Sequence, residues 1–193
     1  MSDKIYSDKG KLIKGIFMKQ GTLVDSNDRP IQPEFFTLSK LKWSYFISLR
    51  PENPNGELSQ KTPKGRSRRE SFWRTFVRKL RRALNLNSKD FKWVGTSEGE
   101  AAGGNPHIHG LVKLTQRGKR KVGPNFNSVA ESVLAEMEET RDKGKVGGDS
   151  FETVDARIDR VSDSQKDRER ISSYFCKRDG ERREKDFWFP VRF

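Results

Sequence analysis

The 193 residues suffice for one domain with a real core and at most one appendage. Hydrophobic residues make up 32% against 35% charged, and 40 Lys and Arg outweigh 27 Asp and Glu for a net charge of +13. That excess points to a polyanionic partner, most simply nucleic acid, and no stretch reads as a membrane-binding apolar face. Cys176 is the only cysteine, which excludes an internal disulfide and a zinc-finger framework. No apolar segment fits a signal peptide or approaches membrane-spanning length, so a soluble intracellular protein with no membrane partner is expected.

In chain order, Met1 to Pro33 is polar and punctuated by Gly and Pro, and it reads as a loosely structured arm with one short strand at Leu12 to Met18. Phe35 to Leu41 is ambiguous between strand and turn. Trp43 to Leu49 is rich in aromatic and β-branched residues and predicts a strand. Pro51 to Arg69 reads as a long loop. From Glu70 the period changes: Phe72, Trp73, Phe76, Val77, Leu80, Ala83 and Leu84 form one apolar helical stripe. Arg74, Arg78, Lys79, Arg81 and Arg82 take its other faces and, as a group, suit phosphate contacts.

Asp90 to Thr96 predicts the next strand, Ser97 to Pro106 a glycine-rich hairpin connection, and His107 to Leu114 the strand that returns. Arg117 to Lys121 reads as an exposed basic turn. A second helix is expected over roughly Ser128 to Asp142, a turn at Gly144 to Asp149, and a strand over Phe151 to Val161. A third helix is expected over about Asp163 to Arg178, and Phe187 to Phe193 as a last strand or packed tail. Hairpin-linked strands interspersed with helices predict an α+β fold, a central antiparallel sheet of about five strands with flanking helices.

The only two histidines are His107 and His109, one residue apart on a predicted strand. Alternation places both rings on one face, where two imidazoles can share a metal ion. The hairpin folds Glu98 back beside His107, giving two neutral nitrogens and one carboxylate with positions left open. Glu100 is the competing ligand, and the register favours Glu98. On the last helix, Tyr174 and Lys177 are three apart and share a face. A tyrosine hydroxyl can attack phosphorus to form a phosphotyrosine, with a lysine offsetting charge. Taken alone, such a pair simply packs and solvates; the histidines give it another meaning.

Together, Glu98-Gly99, Pro106-His107-Ile108-His109-Gly110 and Tyr174-x-x-Lys177 resemble the HUH endonucleases, most closely the single-tyrosine rolling-circle replication initiators (Rep proteins) of plasmids and single-stranded DNA viruses. Tyr45 to Leu49 lies where that family has its first motif, although Phe35 to Leu38 reads closer to it letter by letter. The resemblance covers roughly Trp43 to Arg178. It implies a Rep-like sandwich over residues 34–193 as a single nicking domain, preceded by the arm of residues 1–33, with no helicase domain.

The resemblance also implies an activity: a metal-dependent endonuclease and strand-transferase that nicks and joins single-stranded DNA at an origin hairpin. Glu98, His107 and His109 would hold Mg²⁺ or Mn²⁺, Tyr174 would form a 5′-phosphotyrosine link, and Lys177 would position the phosphate. With one tyrosine, a second transfer needs a second protomer (a homodimer) or a water-mediated step. A host helicase and polymerase are implied partners, in the host cytoplasm, or in the nucleus for a eukaryotic virus. Within the same chemistry stand a relaxase or a repeat-associated transposase. The different-class alternative is a non-catalytic nucleic-acid-binding α+β module that stacks bases on Tyr45, Phe46 or Trp93.

Overall fold

In the computed structural model, the residues described are 3–6, 12–19, 22–25, 41–52, 56–99, 104–139, 152–162, 164–167, 170–171 and 187–188. The chain divides into two compact units, Met1–Lys42 with Ser164–Lys185, and Trp43–Asp163 with Asp186–Phe193.

The first unit carries a three-stranded antiparallel sheet of β1 (Asp3–Tyr6), β2 (Leu12–Lys19) and β3 (Thr22–Asp25), with β2 in the middle. Only the β2 segment stands out in the sequence. The two flanking strands are four residues each, too short for alternation to emerge from polar surroundings, and they are defined by pairing, as in Lys4↔Phe17 and Leu23↔Met18. Residues 165–167, 170 and 171 are helical, in keeping with the start of the third expected helix. Tyr174, Cys176 and Lys177 lie outside the described residues, as do Phe35 to Leu38, Glu100 and the expected turn at Gly144 to Asp149.

The second unit is the α+β fold. Its sheet runs in the order β7 (Glu152–Arg160), β4 (Tyr45–Glu52), β6 (His107–Leu114), β5 (Phe91–Glu98), β8 (Phe187–Trp188), with every pair antiparallel. Four strands are long, and the fifth is a two-residue edge strand against Gly95 and Thr96. Among its described residues are the α-helices α1 (Pro63–Ala83), α2 (Gln116–Val122) and α3 (Phe126–Glu139).

Two helices depart from the expected boundaries, both for capping reasons. α1 starts seven residues before Glu70. Thr62 caps it by accepting from the Gly65 amide at 3.2 Å, and Pro63 occupies the first turn, where its missing N–H costs nothing. The glycine and the basic run that follow hide this start. At the other end, Asn85 turns left-handed at φ 51° and the Leu86 amide bonds the Arg81 carbonyl, closing the helix. The basic segment Arg117 to Lys121 is not a turn but α2, capped by Thr115, which accepts from the Gly118 amide at 3.1 Å. In both, a threonine followed by a glycine at the third helical position carries the start signal.

The apolar stripe of α1 buries Phe72, Trp73, Phe76, Val77 and Leu80 against the sheet. The sheet face beneath them presents Ile47, Leu49, Phe91, Trp93, Ile108, Val112 and Leu114. At its centre the indole of Trp73 lies directly over Gly95 and Gly110, which are cross-strand partners. A Cβ on either glycine would overlap Trp73 ring atoms, so both positions must be bare. Trp73 meets Trp93 edge-on, at 6.2 Å and 79°.

Gly110→Ala should therefore lower the unfolding free energy by about 1–3 kcal/mol, although adding a methyl to a strand glycine otherwise stabilises. Denaturant unfolding checks this, and combining it with Trp73→Phe should recover part of the loss. Strict additivity of the two substitutions would remove the ring contact as the cause.

Candidate metal centre

Helices cover one face of the sheet, and strand alternation turns His107 and His109 to the other. The β5–β6 ladder pairs Glu98 with His107 and Thr96 with His109, so the carboxylate and both imidazoles share that face. A slip of one residue in this register would send Glu98 to the opposite side. β4 completes the floor by pairing Ser48 with His109, and the Phe46 ring stacks on the His109 imidazole at 5.2 Å. The segment Tyr45 to Leu49 thus supplies a wall for the site as well as core.

The three side chains converge at their tips. His109 Nε2 is 2.7 Å from Glu98 Oε2, His107 Nε2 is 2.9 Å from His109 Nε2, and His107 Nε2 is 3.8 Å from Glu98 Oε2. Donors bound at right angles to one ion, each about 2.1 Å from it, stand about 3 Å apart. The spacing fits a shared divalent metal ion, and the group is a candidate ligand set for one. Glu98 is 5% exposed and His109 2%, whereas His107 is half-buried and faces the opening. Three protein ligands leave the remaining positions of such an ion for water or substrate. A buried carboxylate needs charge or hydrogen bonds to offset its desolvation, and a cation supplies that charge.

The proton inventory points the same way. His107 Nδ1 lies 2.7 Å from the Asn105 carbonyl, which can only accept, so the ring carries its proton on Nδ1. Its Nε2 lone pair then faces His109 Nε2 and Glu98. A proton on His109 Nε2 can bridge to Glu98 Oε2 at 2.7 Å, and metal binding would displace it.

Behind the ligands stand residues that carry no signal of their own in the sequence. Gly99 adopts φ +80°, a conformation that glycine favours, at the end of β5. A Cβ there would overlap the Asn105 carbonyl, the same oxygen that orients His107. Gly99 therefore leaves room for the group that fixes the His107 tautomer. Arg69, expected in a loop, is in α1 and fully buried. Its Nε donates to Ser97 Oγ at 2.6 Å and its Nη1 to the carbonyls of Leu58 and Gln60 at 2.6 and 2.8 Å. It ties the start of α1 to the strand end next to Glu98. A helix begun at Thr62 puts Arg69 on the stripe of Phe72, Trp73 and Phe76, whereas one begun at Glu70 leaves it out.

Of the sequence-derived site residues, Glu98, His107 and His109 are brought together. Tyr45, at the start of β4, lies on the helix-covered face. There it stacks on Phe126 at 3.6 Å and 5°, and burial raises its hydroxyl pKa, partly opposed by Arg160.

Titration with Mn²⁺ should reveal one site per chain, lost in His109→Ala and Glu98→Gln. Gly99→Ala should weaken it about 10- to 100-fold without removing a ligand. Wild-type affinity in Gly99→Ala would show that the Asn105 carbonyl does not set the His107 ring. Comparison of the chain with protein-family models, curated proteins and solved structures gives no match.

Proposed function

We propose that the protein is a metal-dependent, strand-specific endonuclease and strand-transferase acting on single-stranded DNA at a replication origin. The observation that carries this reading is the convergence of Glu98, His107 and His109 within 4.8 Å on the sheet face opposite the helices. A divalent ion held there, Mg²⁺ or Mn²⁺, would supply Lewis-acid polarisation of a scissile phosphate. His107, the most open of the three, borders the side from which the phosphate would enter, and Phe46 limits water around His109.

Tyr174 would provide the nucleophile. Its phenolic oxygen bonds to phosphorus as the bond from phosphorus to the 3′-oxygen breaks. The phenolic proton is lost and the leaving oxygen gains one, giving a 5′-phosphotyrosine and a free 3′-OH. Lys177, three residues on, would hold the phosphate and offset developing charge. The reverse reaction rejoins the strand. The chain has three tyrosines, and Tyr45 is set aside by its place across the sheet. The net charge of +13 suits the substrate.

The non-catalytic alternative needs an aromatic platform open to bases. Trp93 is 8% exposed beneath the helices, Tyr45 is stacked on Phe126 and Phe46 on His109, so those rings are engaged within the protein. Among the described residues no helix is long and apolar enough to cross a membrane.

Incubation with labelled single-stranded origin oligonucleotides and Mn²⁺ should yield a slow band that survives SDS. The band should vanish in EDTA and in Tyr174→Phe, and fall at least about 100-fold in His109→Ala. An adduct that persists in Tyr174→Phe would defeat the nucleophile assignment. Binding without any adduct, indifferent to EDTA, would favour the non-catalytic module.

A further inference from the structure

α1 carries nine basic residues and a single acidic one, Glu70. Five of them are engaged within the protein. Lys64 and Arg68 reach Glu57, at 2.7 and 3.2 Å; Arg74 reaches Glu70 at 2.7 Å; Lys79 reaches Glu136; Arg69 is buried on Ser97 and two carbonyls. Arg78 and Arg81 have no such partner among the described residues, and neither does Lys92 on β5. These three line one groove, about 830 Å³ in volume, between α1 and the outer edge of β5. Hydroxyl donors from Ser67, Ser71, Thr75 and Ser88 share its walls. Its floor is Phe91 and Trp93, with the Arg74 guanidinium 5.4 Å from the Trp93 ring centre. At the groove wall Arg74 is matched by Glu70, whereas Arg78, Arg81 and Lys92 border the groove with no acid or carbonyl on them among the described residues.

We propose that this groove is a second DNA site, separate from the metal cluster, that grips the phosphodiester backbone. It reads no bases: guanidinium, ammonium and hydroxyl donors are phosphate ligands, and the aromatic floor is closed by Arg74. The site rests on the reading that DNA is the substrate, but not on the nicking chemistry. Lys92 and Glu98 stand six residues apart on one strand, roughly 20 Å at 3.3 Å per residue. That distance equals about six steps of a duplex at 3.4 Å each. A strand held in the groove would thus be gripped a short way from the phosphate at the metal cluster, which suits a stem flanking a nicking site.

The test compares Arg78→Ala/Arg81→Ala with Arg82→Ala/Arg120→Ala, an equal loss of charge at exposed positions outside the groove. Binding of labelled duplex and of labelled single strand is measured in EDTA across a salt series. The groove variant should bind at least about tenfold more weakly, and its slope of log affinity against log salt should shrink by about two. The surface variant should keep nearly the wild-type slope. Loss confined to duplex identifies a stem in the groove, and loss confined to single strand identifies the nicked strand itself. Equal losses in both variants would overturn the proposal, reducing it to net charge. A wild-type protein that binds neither DNA would overturn it together with the nuclease reading. Because binding is read in EDTA, absence of the covalent adduct leaves this outcome unaffected.

Discussion

The candidate site depends on one packing constraint, the seating of the Trp73 indole over the Gly95–Gly110 pair. Only where two bare positions meet across the β5–β6 ladder can a bulky aromatic lie so close to the backbone. That contact locks the register of the two strands against α1. Because side chains alternate with period two, the same register that turns Gly110 toward the helix turns His109 away from it. Glu98, three residues beyond Gly95, then falls opposite His107. Core packing on one side of the sheet and ligand convergence on the other are one geometric fact.

The ligands are held by rigid elements and tuned by irregular ones. Glu98, His107 and His109 lie at strand ends whose ladders fix their Cα positions to within the flexing of a sheet. The refinements come from backbone where the ladder stops: the left-handed Gly99, the Asn105 carbonyl on His107 and the guanidinium of Arg69 behind Ser97. A left-handed glycine and a fully desolvated guanidinium at this end of the sheet suit a place where positioning matters more than stability.

The charge of the chain is organised as well as large. Along α1, Glu57, Glu70 and Glu136 each neutralise particular cations. Exposed pairs of this kind contribute little stability. Their effect is on the surface field, since they offset charge at Lys64, Arg68, Arg74 and Lys79 but not at Arg78 or Arg81. The sheet thus keeps two features apart, a face with a candidate metal-ligand cluster and an edge bordered by Arg78, Arg81 and Lys92.

Much of the architecture is legible in local sequence patterns, and the site residues more so than the boundaries around them. Residues 107–114 are a strand with the limits that alternation predicts, the 3.6-residue stripe from Phe72 to Leu80 is core, and the α+β sheet with flanking helices follows from the order of elements. The pairing of Glu98 with His107 is legible because a hairpin connects consecutive strands locally. Both early helix starts are hidden, because the cap is a single side-chain bond and a nearby glycine counts against a helix. The three-stranded sheet of the first unit is hidden because four-residue strands are defined by their partners. The sequence by itself determined which residues have metal-binding chemistry and which face of a strand they share, since residue type and period are local properties. Only the tertiary structure decided how far apart the three tips stand, that the Asn105 carbonyl sets the His107 tautomer, that Arg69 is buried, and that Arg78, Arg81 and Lys92 share a groove. Those facts depend on distances between segments remote in the chain, which packing around Trp73 sets and no local pattern encodes.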